Sequence, residues 1–440
     1  MLANLTARAR QALRHVAVRN ALLLYAVQIS GYVFPFITLS YLSRVLSPDK
    51  IGLISLATYF TWYFNTLTEY GFNLTATRRV AVQKDSPEAV TQIFNSVMQA
   101  KGLLTAIGFV LMIVVVLINP RYREHWQLFP ISFLTVIGGW LFPMWLYQGM
   151  EKMGQVAARD FFAKLLATSL TLVIVRRETD YLWAAALPAG ATVITGALSL
   201  ALAPRICGVR FQVAPWGEVR SALRQGWPVF LSMAAGTLTS VTNVPILGQI
   251  TKSTAEIAYY ANANRLIVAQ RMLVGPIVTA LFPHISHMAA KSSGGAIAFL
   301  RKYSLLLALP FLFMSIVTFA FAPLIVHKFF GTKYDYTPSI LMLRLMALQP
   351  FLLALSHCYS TYYMLAFGFE KQWSRIILRT TGLNFILLGG MIWWAHMRPI
   401  NAIALVGTLL DAFVLGNSYW FFRTTTAKSH PEVHEPVPQT

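Results

Sequence analysis

Charge is scarce in this sequence. Lys, Arg, Asp and Glu make up 12% of its 440 residues, about half the share of an average soluble domain. Acids are scarcer still, with 16 Asp and Glu against 36 Lys and Arg. No polar stretch is long enough to hold a soluble domain between the apolar runs. These deficits exclude an ordinary water-soluble globule. Cysteine is nearly absent too. Cys207 and Cys358 stand far apart, which excludes a disulfide framework or a cysteine metal cluster. There is no nucleophile elbow, no phosphate-binding glycine loop and no zinc-ligand spacing. The loops expected outside the membrane are also too short for the carboxylate or histidine cluster that a membrane-embedded polymerase or ligase needs.

What the sequence does contain is hydrophobic residue, 56% of the chain, at a mean hydropathy of +0.56. Apolar runs recur from end to end, so the expected class is an all-α polytopic membrane protein. Twelve transmembrane helices are expected near 20–42, 52–76, 90–118, 127–148, 155–175, 181–203, 227–250, 257–283, 302–326, 338–366, 374–396 and 400–423. Each can cross a hydrocarbon core of roughly 30 Å at 1.5 Å per residue. The first run is too long for a signal-peptide core and is expected to be retained. The formal charge of +20 would mark a nucleic-acid binder in a soluble protein. Here it is read as positive-inside topology, with no nucleic-acid partner. With both termini cytoplasmic, the inside segments carry roughly twice the Lys and Arg of the outside loops.

The longest inside connection, 204–226, divides the spans six and six. The expected order is a basic N-terminal segment (1–19), a first six-helix lobe (20–203), the connection (204–226), a second six-helix lobe (227–423) and a disordered tail (424–440). The lobes echo one another. "YLSRVLSPDKIGLIS" after the first span resembles "ILGQITKSTAEIAYYA" after the seventh, with Ser47 answering Ser253 and Ile51-Gly52 answering Ile257-Ala258. An echo at the same point of two six-span halves is the mark of an internal repeat.

An ionisable residue deep in a span costs at least about 2.5–3.5 kcal/mol, so each needs a reason. Asp160 and Lys164 are spaced i,i+4 and can neutralise each other. Arg379 can snorkel to the inner interface. Arg265 and Arg271 are harder to place. Their span, "YYANANRLIVAQRMLVGP", also carries Asn262, Asn264 and Gln270. So many polar groups must face a cavity or other helices. Arg271 lies roughly 20 Å below the outer end, and Lys101, Arg344 and Asp411 fall at intermediate depth. Four cations against one acid describe a cavity that attracts an anion, and guanidinium forks suit phosphate oxygens. An ion-pair network around Asp411 is the alternative. His284 and His287 are read as interface residues rather than a metal pair. In "EYGFNLTATRRVAV" (69–82), Glu69 sits near the inner interface, and Arg78 and Arg79 fall where cytoplasmic anchoring charges belong.

Five segments together, "YLSRVLSPDKIGLISLA", "EYGFNLTATRRVA", "WLYQGMEKM", "YYANANRLIVAQRMLVGPIVTALFPHIS" and "FGTKYDYTPSILMLRLMALQPFLLALS", resemble the Wzx-type O-antigen flippases, a branch of the superfamily that also holds lipid II flippases and multidrug extruders. The likeness runs along nearly the whole chain. It implies two six-helix lobes arranged as a V around a cationic cavity. It also implies a transporter, not an enzyme, in the bacterial inner membrane. Its expected cargo is an undecaprenyl-diphosphate-linked oligosaccharide, moved from the inner to the outer leaflet by alternating access. "YYANANRL" looks like the family's eighth-helix signature, whose arginine lines the cavity, and Arg265 occupies that position. The expected substrate set is Arg265, Arg271, Arg344, Lys101, Asn264 and Asn262. Asp411 and Glu69 are the carboxylates for a coupling H+ or Na+, with no other cofactor, and Arg78 and Arg79 shape the inner gate. Expected partners are membrane lipids and a glycan polymerase of the same pathway. A drug or metabolite exporter of the same superfamily is one alternative, although an exporter of organic cations would want an acidic cavity instead; a membrane-embedded glycan polymerase or ligase, which would call for a long external loop, is the other.

Overall fold

The computed structural model describes residue 31 and residues 33–251 and 253–428. The basic segment 1–19, the first part of the run 20–42 and the end of the 424–440 tail lie outside the described residues. Every regular element among the described residues is helical.

By contact density the chain forms two compact units. The first holds residues up to Ala258 together with Phe330–Tyr334, and the second holds Tyr259–Phe329 with Asp335 onward. In the first unit are α1 (Val33–Val45), α2 (Pro48–Glu69), α3 (Phe72–Val82), α4 (Pro87–Ile118), α5 (Pro120–Glu124), α6 (Leu128–Leu141), α7 (Met144–Gly149), α8 (Met153–Ile174), α9 (Tyr181–Cys207), α10 (Trp216–Val241) and α11 (Asn243–Ile250). The helix α12 (Thr254–Met272) begins in the first unit and continues in the second. There follow α13 (Val274–Lys291), α14 (Ser293–Ala320), α15 (Ala322–Phe330), α16 (Pro338–Met346), α17 (Gln349–Tyr359), α18 (Glu370–Gly389) and α19 (Pro399–Lys428). Proline opens α2, α4, α5, α16 and α17, where a missing N–H costs nothing.

Among the described residues every expected run falls largely on helix. Eight helical stretches among the described residues are long and apolar enough to cross a membrane, and α10 with α11, bent by 46° at their junction, reach that length and hydropathy only when taken together. The run 52–76 gives α2, whose Thr58, Thr61, Asn65, Thr66 and Thr68 lower its hydropathy. The run 155–175 gives α8, which carries Arg159, Asp160 and Lys164 within six residues. Both helices have 22 residues, about 33 Å of rise.

Two boundaries differ from expectation. The connection 204–226 is mostly helical, because α9 runs to Cys207 and α10 starts at Trp216. Only 208–215 is irregular. That segment is clamped onto α4, where Asn95 donates to the Arg210 carbonyl at 2.8 Å and accepts from the Gln212 amide at 2.9 Å. At the other end α19 runs to Lys428, so residues 424–428 continue a helix and are not a disordered tail.

The run 52–76 is also broken. The backbone of Tyr70 (φ 46°) and Gly71 (φ 78°) turns left-handed between α2 and α3. A bulky residue is rarely found there. Tyr70 is held by its N–H on the Thr66 carbonyl and by stacking on Phe230, centroids 4.7 Å apart. A Cβ at position 71 would lie 2.6 Å from Val229 Cγ1. The φ and the close approach of α10 both require glycine. The break leaves Glu69 as the last residue of α2.

Candidate functional site

Two of the membrane-depth ion pairs join different helices, one in each unit. In the first unit Lys101 of α4 is fully buried. Its Nζ donates to Glu69 Oε1 at 3.0 Å and to the Gly139 carbonyl at 2.9 Å. Glu69 Oε2 is buried and has no hydrogen-bond partner among the described residues. Nearby, Trp140 Nε1 donates to the Met98 carbonyl at 3.0 Å, which adds a second tie between α4 and α6. One ammonium thus joins α2, α4 and α6. Removing one partner of a buried pair strands the other charge, at a cost of about 3–5 kcal/mol. Lys101→Met is therefore expected to lower the unfolding temperature of the detergent-solubilised protein sharply. Adding Glu69→Gln, which removes the stranded charge, should restore much of the loss. An additive double variant in the same melting assay would contradict the pairing.

In the second unit the pair is Arg271 with Asp411. Arg271 occupies the last turn of α12, where the helix dipole favours a cation. Asp411 stands twelve residues into α19, roughly 18 Å along that helix. The two Nη atoms donate to the two carboxylate oxygens at 3.0 and 3.3 Å. Such a fork is the strong, oriented form of ion pair. Nη1 also donates to Gln349 Oε1 at 3.0 Å. The Gln349 amide reaches Thr408 Oγ1 at 3.3 Å, and Thr408 donates to the Leu345 carbonyl at 2.7 Å. A single polar chain therefore runs through α12, the junction of α16 and α17, and α19. The pair is not sealed, for the Arg271 side chain keeps 30% of its accessible surface and Asp411 16%.

The other expected residues are placed as follows. Asn262 is completely buried, and neither amide atom has a partner among the described residues. Asn264 and Arg265 are half-buried on α12. Arg344 is exposed. Its Nε lies 3.4 Å from the Phe319 carbonyl and its guanidinium 5.6 Å from the Phe319 ring, so it joins neither pair. Arg78 is exposed and Arg79 half-buried on α3. Partial burial lowers the Arg79 guanidinium below its ordinary range, opposed by the Glu218 carboxylate. Asp160 and Lys164 do pair along α8, at 2.5 Å. Of the four cations first set against Asp411, two are therefore matched by carboxylates. The sequence reading passed over Gln349 and Thr408. It also passed over His357, whose Nδ1 lies 2.8 Å from Thr361 Oγ1 and which feels the Arg271 charge. A glutamine beside a proline deep in the run 338–366 was the available signal.

A third cluster lies in the first unit. Asp49 Oδ1 accepts from Thr254 Oγ1 at 2.6 Å and from the Ala255 amide at 2.9 Å, and so caps the start of α12. Arg121 Nη1 donates to the Gly248 and Thr251 carbonyls, both at 2.6 Å. Asn119 reaches Gln249 Oε1 at 3.0 Å. At Gly52 an added Cβ would sit 1.8 Å from the Thr254 carbonyl oxygen. The two segments that echo each other in sequence thus pack directly together.

Residues 17–289 match the sequence family described as polysaccharide biosynthesis protein. A protein of Escherichia coli (strain K12) named "Putative O-antigen transporter" is 29% identical over 374 residues, 84% of this chain and 88% of that one. One of the same name from Shigella dysenteriae is 28% identical over 360 residues, 82% and 89% of the two chains. Among solved structures, a lipid II flippase MurJ in an inward closed conformation superposes with a TM-score of 0.70 at 12% identity, covering 91% of this chain and 87% of that one. A multidrug resistance MATE family transporter of the MOP superfamily, inward-facing, gives 0.67 at 11% identity, covering 93% and 99%. At these identities the structural likenesses speak to the fold.

Proposed function

The chain belongs to the polysaccharide biosynthesis protein family, and on that premise we propose that it is a flippase that carries a lipid-linked oligosaccharide from the cytoplasmic to the outer leaflet of the bacterial inner membrane. The proposed cargo head is the diphosphate of an undecaprenyl-linked O-antigen unit or a related surface glycan. The names of the two relatives above support the class of cargo. Twelve crossings in two six-helix lobes, with both termini cytoplasmic, are part of the same reading.

The observation that carries the proposal is the open Arg271–Asp411 fork. A diphosphate and the Asp411 carboxylate are alternative partners for one guanidinium. With Asp411 ionised, Arg271 is engaged and the cargo is held weakly. A proton or a sodium ion taken up at Asp411 cancels the carboxylate charge and frees the fork for the diphosphate. Loss of that ion then returns Arg271 to Asp411 and releases the cargo. Ion occupancy of Asp411 and the affinity of Arg271 for the cargo are in this way linked through a single pair. Arg265, Asn262 and Asn264, on the same helix, would meet the first sugars, while the polyprenyl chain stays in lipid. Alternating access would open the cytoplasmic side while the Asp49–Thr254 cluster closes the outer one.

The test is complementation of a bacterium that lacks its own O-antigen flippase, scored by glycan at the cell surface. The wild-type chain should restore display, and Arg265→Ala at equal expression should lose most of it. Undiminished display by Arg265→Ala would remove that residue from the substrate path. Failure of the wild type, together with export of organic cations, would replace the proposal by a drug exporter of the same fold.

A further inference from the structure

A cavity of about 690 Å³ opens at one end of the second unit, at a distance from the charged pair. It lies where three parts of the chain meet: the first turns of α14, the stretch after α17, and the last turn of α19. Thr426, on its wall, is fifteen residues beyond Asp411 on α19, roughly 22 Å along the helix. The sequence expectation puts all three of these segments on the cytoplasmic side, so the cavity falls at the level of lipid headgroups.

Its chemistry is one-sided. Arg301 and Lys302 both line it, and no carboxylate does among the described residues. Arg301 is not a swinging surface cation, because its Nη2 donates to Thr426 Oγ1 at 3.1 Å. The Ser292 hydroxyl caps α14 by accepting from the Gly295 amide at 3.1 Å. Beside it, an added Cβ at Gly294 would meet nothing within 4 Å. The positive end of a 28-residue helix therefore faces open space on the same wall. Aromatic rings, Tyr363, Phe367 and Phe369, line the cavity as well. Tyr363 is buried, its ring 4.8 Å from that of Phe367, and its hydroxyl lies 2.7 Å from Thr425 Oγ1. A tethered guanidinium, a second cation, hydroxyls and an apolar wall at the interface match an anionic headgroup with the first carbons of its chains attached. The volume is in the range of small-molecule sites, roughly 300–1,000 Å³.

We propose that this cavity is a binding site for the headgroup of an anionic phospholipid, separate from the path of the transported cargo. A bound lipid would bridge α14 and α19 at their cytoplasmic ends. The proposal does not depend on the nature of the cargo.

The experiment is native mass spectrometry of the full chain, purified in detergent and titrated with phosphatidylglycerol or phosphatidylcholine. Each basic side chain close to an anionic lipid is worth roughly a fivefold gain in binding. Wild type should prefer phosphatidylglycerol, and Arg301→Ala with Lys302→Ala should lose about 25-fold of that preference. The charge-preserving exchange Arg301→Lys with Lys302→Arg should keep most of it, which separates lost charge from lost fold. An unchanged preference in the alanine variant overturns the proposal, as does equal loss in both variants. Displacement of phosphatidylglycerol by millimolar inorganic phosphate would overturn it too, since the site would then read free phosphate rather than lipid.

Discussion

Arg271→Ala is expected to abolish glycan display at the cell surface and to destabilise the protein as well. The two effects have different remedies, and that difference is the content of the prediction. Deleting the guanidinium strands Asp411, whose carboxylate is partly buried. The cost of breaking a buried pair runs to about 3–5 kcal/mol, and partial exposure places this one at the lower end. Replacing both partners with apolar residues of similar size, Arg271→Met with Asp411→Leu, should recover the melting temperature. Transport should stay absent in that double variant, because nothing remains to hold a diphosphate. A structural pair would behave otherwise, with display returning as stability returns. Asp411→Asn isolates the remaining step. The amide oxygen can still accept from Arg271, but there is no charge to cancel. Its residual transport should no longer respond when the membrane proton or sodium gradient is collapsed, whereas wild-type display should change. If Asp411→Asn keeps the gradient dependence of wild type, coupling lies elsewhere, and Glu69 is the next carboxylate to replace.

How far such a site can be read from sequence follows from what holds each part together. Helix positions were legible because crossing a bilayer needs a minimum apolar length, and that length is written in one dimension. The Asp160–Lys164 pair was legible for the same reason, since four residues along one helix bring two side chains together. Lys101 and Glu69 are 32 residues apart on different helices. Nothing local shows that they meet, so Lys101 was counted among cations looking for an anion. Arg271 and Asp411 are 140 residues apart. Only the scarcity of acids made Asp411 a candidate partner, and Gln349 and Thr408, which hold the fork, carry no charge to draw the eye. The break at Tyr70–Gly71 was hidden by a different cause. A glycine inside an apolar run reads as a packing position as readily as a turn, and the positive φ at tyrosine depends on stacking against Phe230, far away in sequence.

Gly52→Ala is expected to stop transport while leaving the helices intact, the largest effect that a single methyl group should have here. A Cβ at this position would lie 1.8 Å from the Thr254 carbonyl oxygen and 2.7 Å from its carbon. Both are backbone atoms and cannot rotate aside. To admit the methyl, α2 and the start of α12 must separate, and separation stretches the Asp49 bonds to Thr254 and Ala255. Under alternating access this is the contact that must form whenever the cytoplasmic side is open. A protein unable to close it leaks or stalls in the outward state. Cysteines at the latch read this directly. Asp49→Cys with Thr254→Cys should form a disulfide on oxidation, and display should stop until a reductant is added. In a Gly52→Ala background the same cysteines should crosslink poorly, and display should be low with or without the reductant. Efficient crosslinking in that background would mean the helices accommodate the methyl, and the close approach would then be packing alone. Display that persists while the disulfide is fully formed would show that this end of the protein need not open, and the alternating-access reading would fail with it.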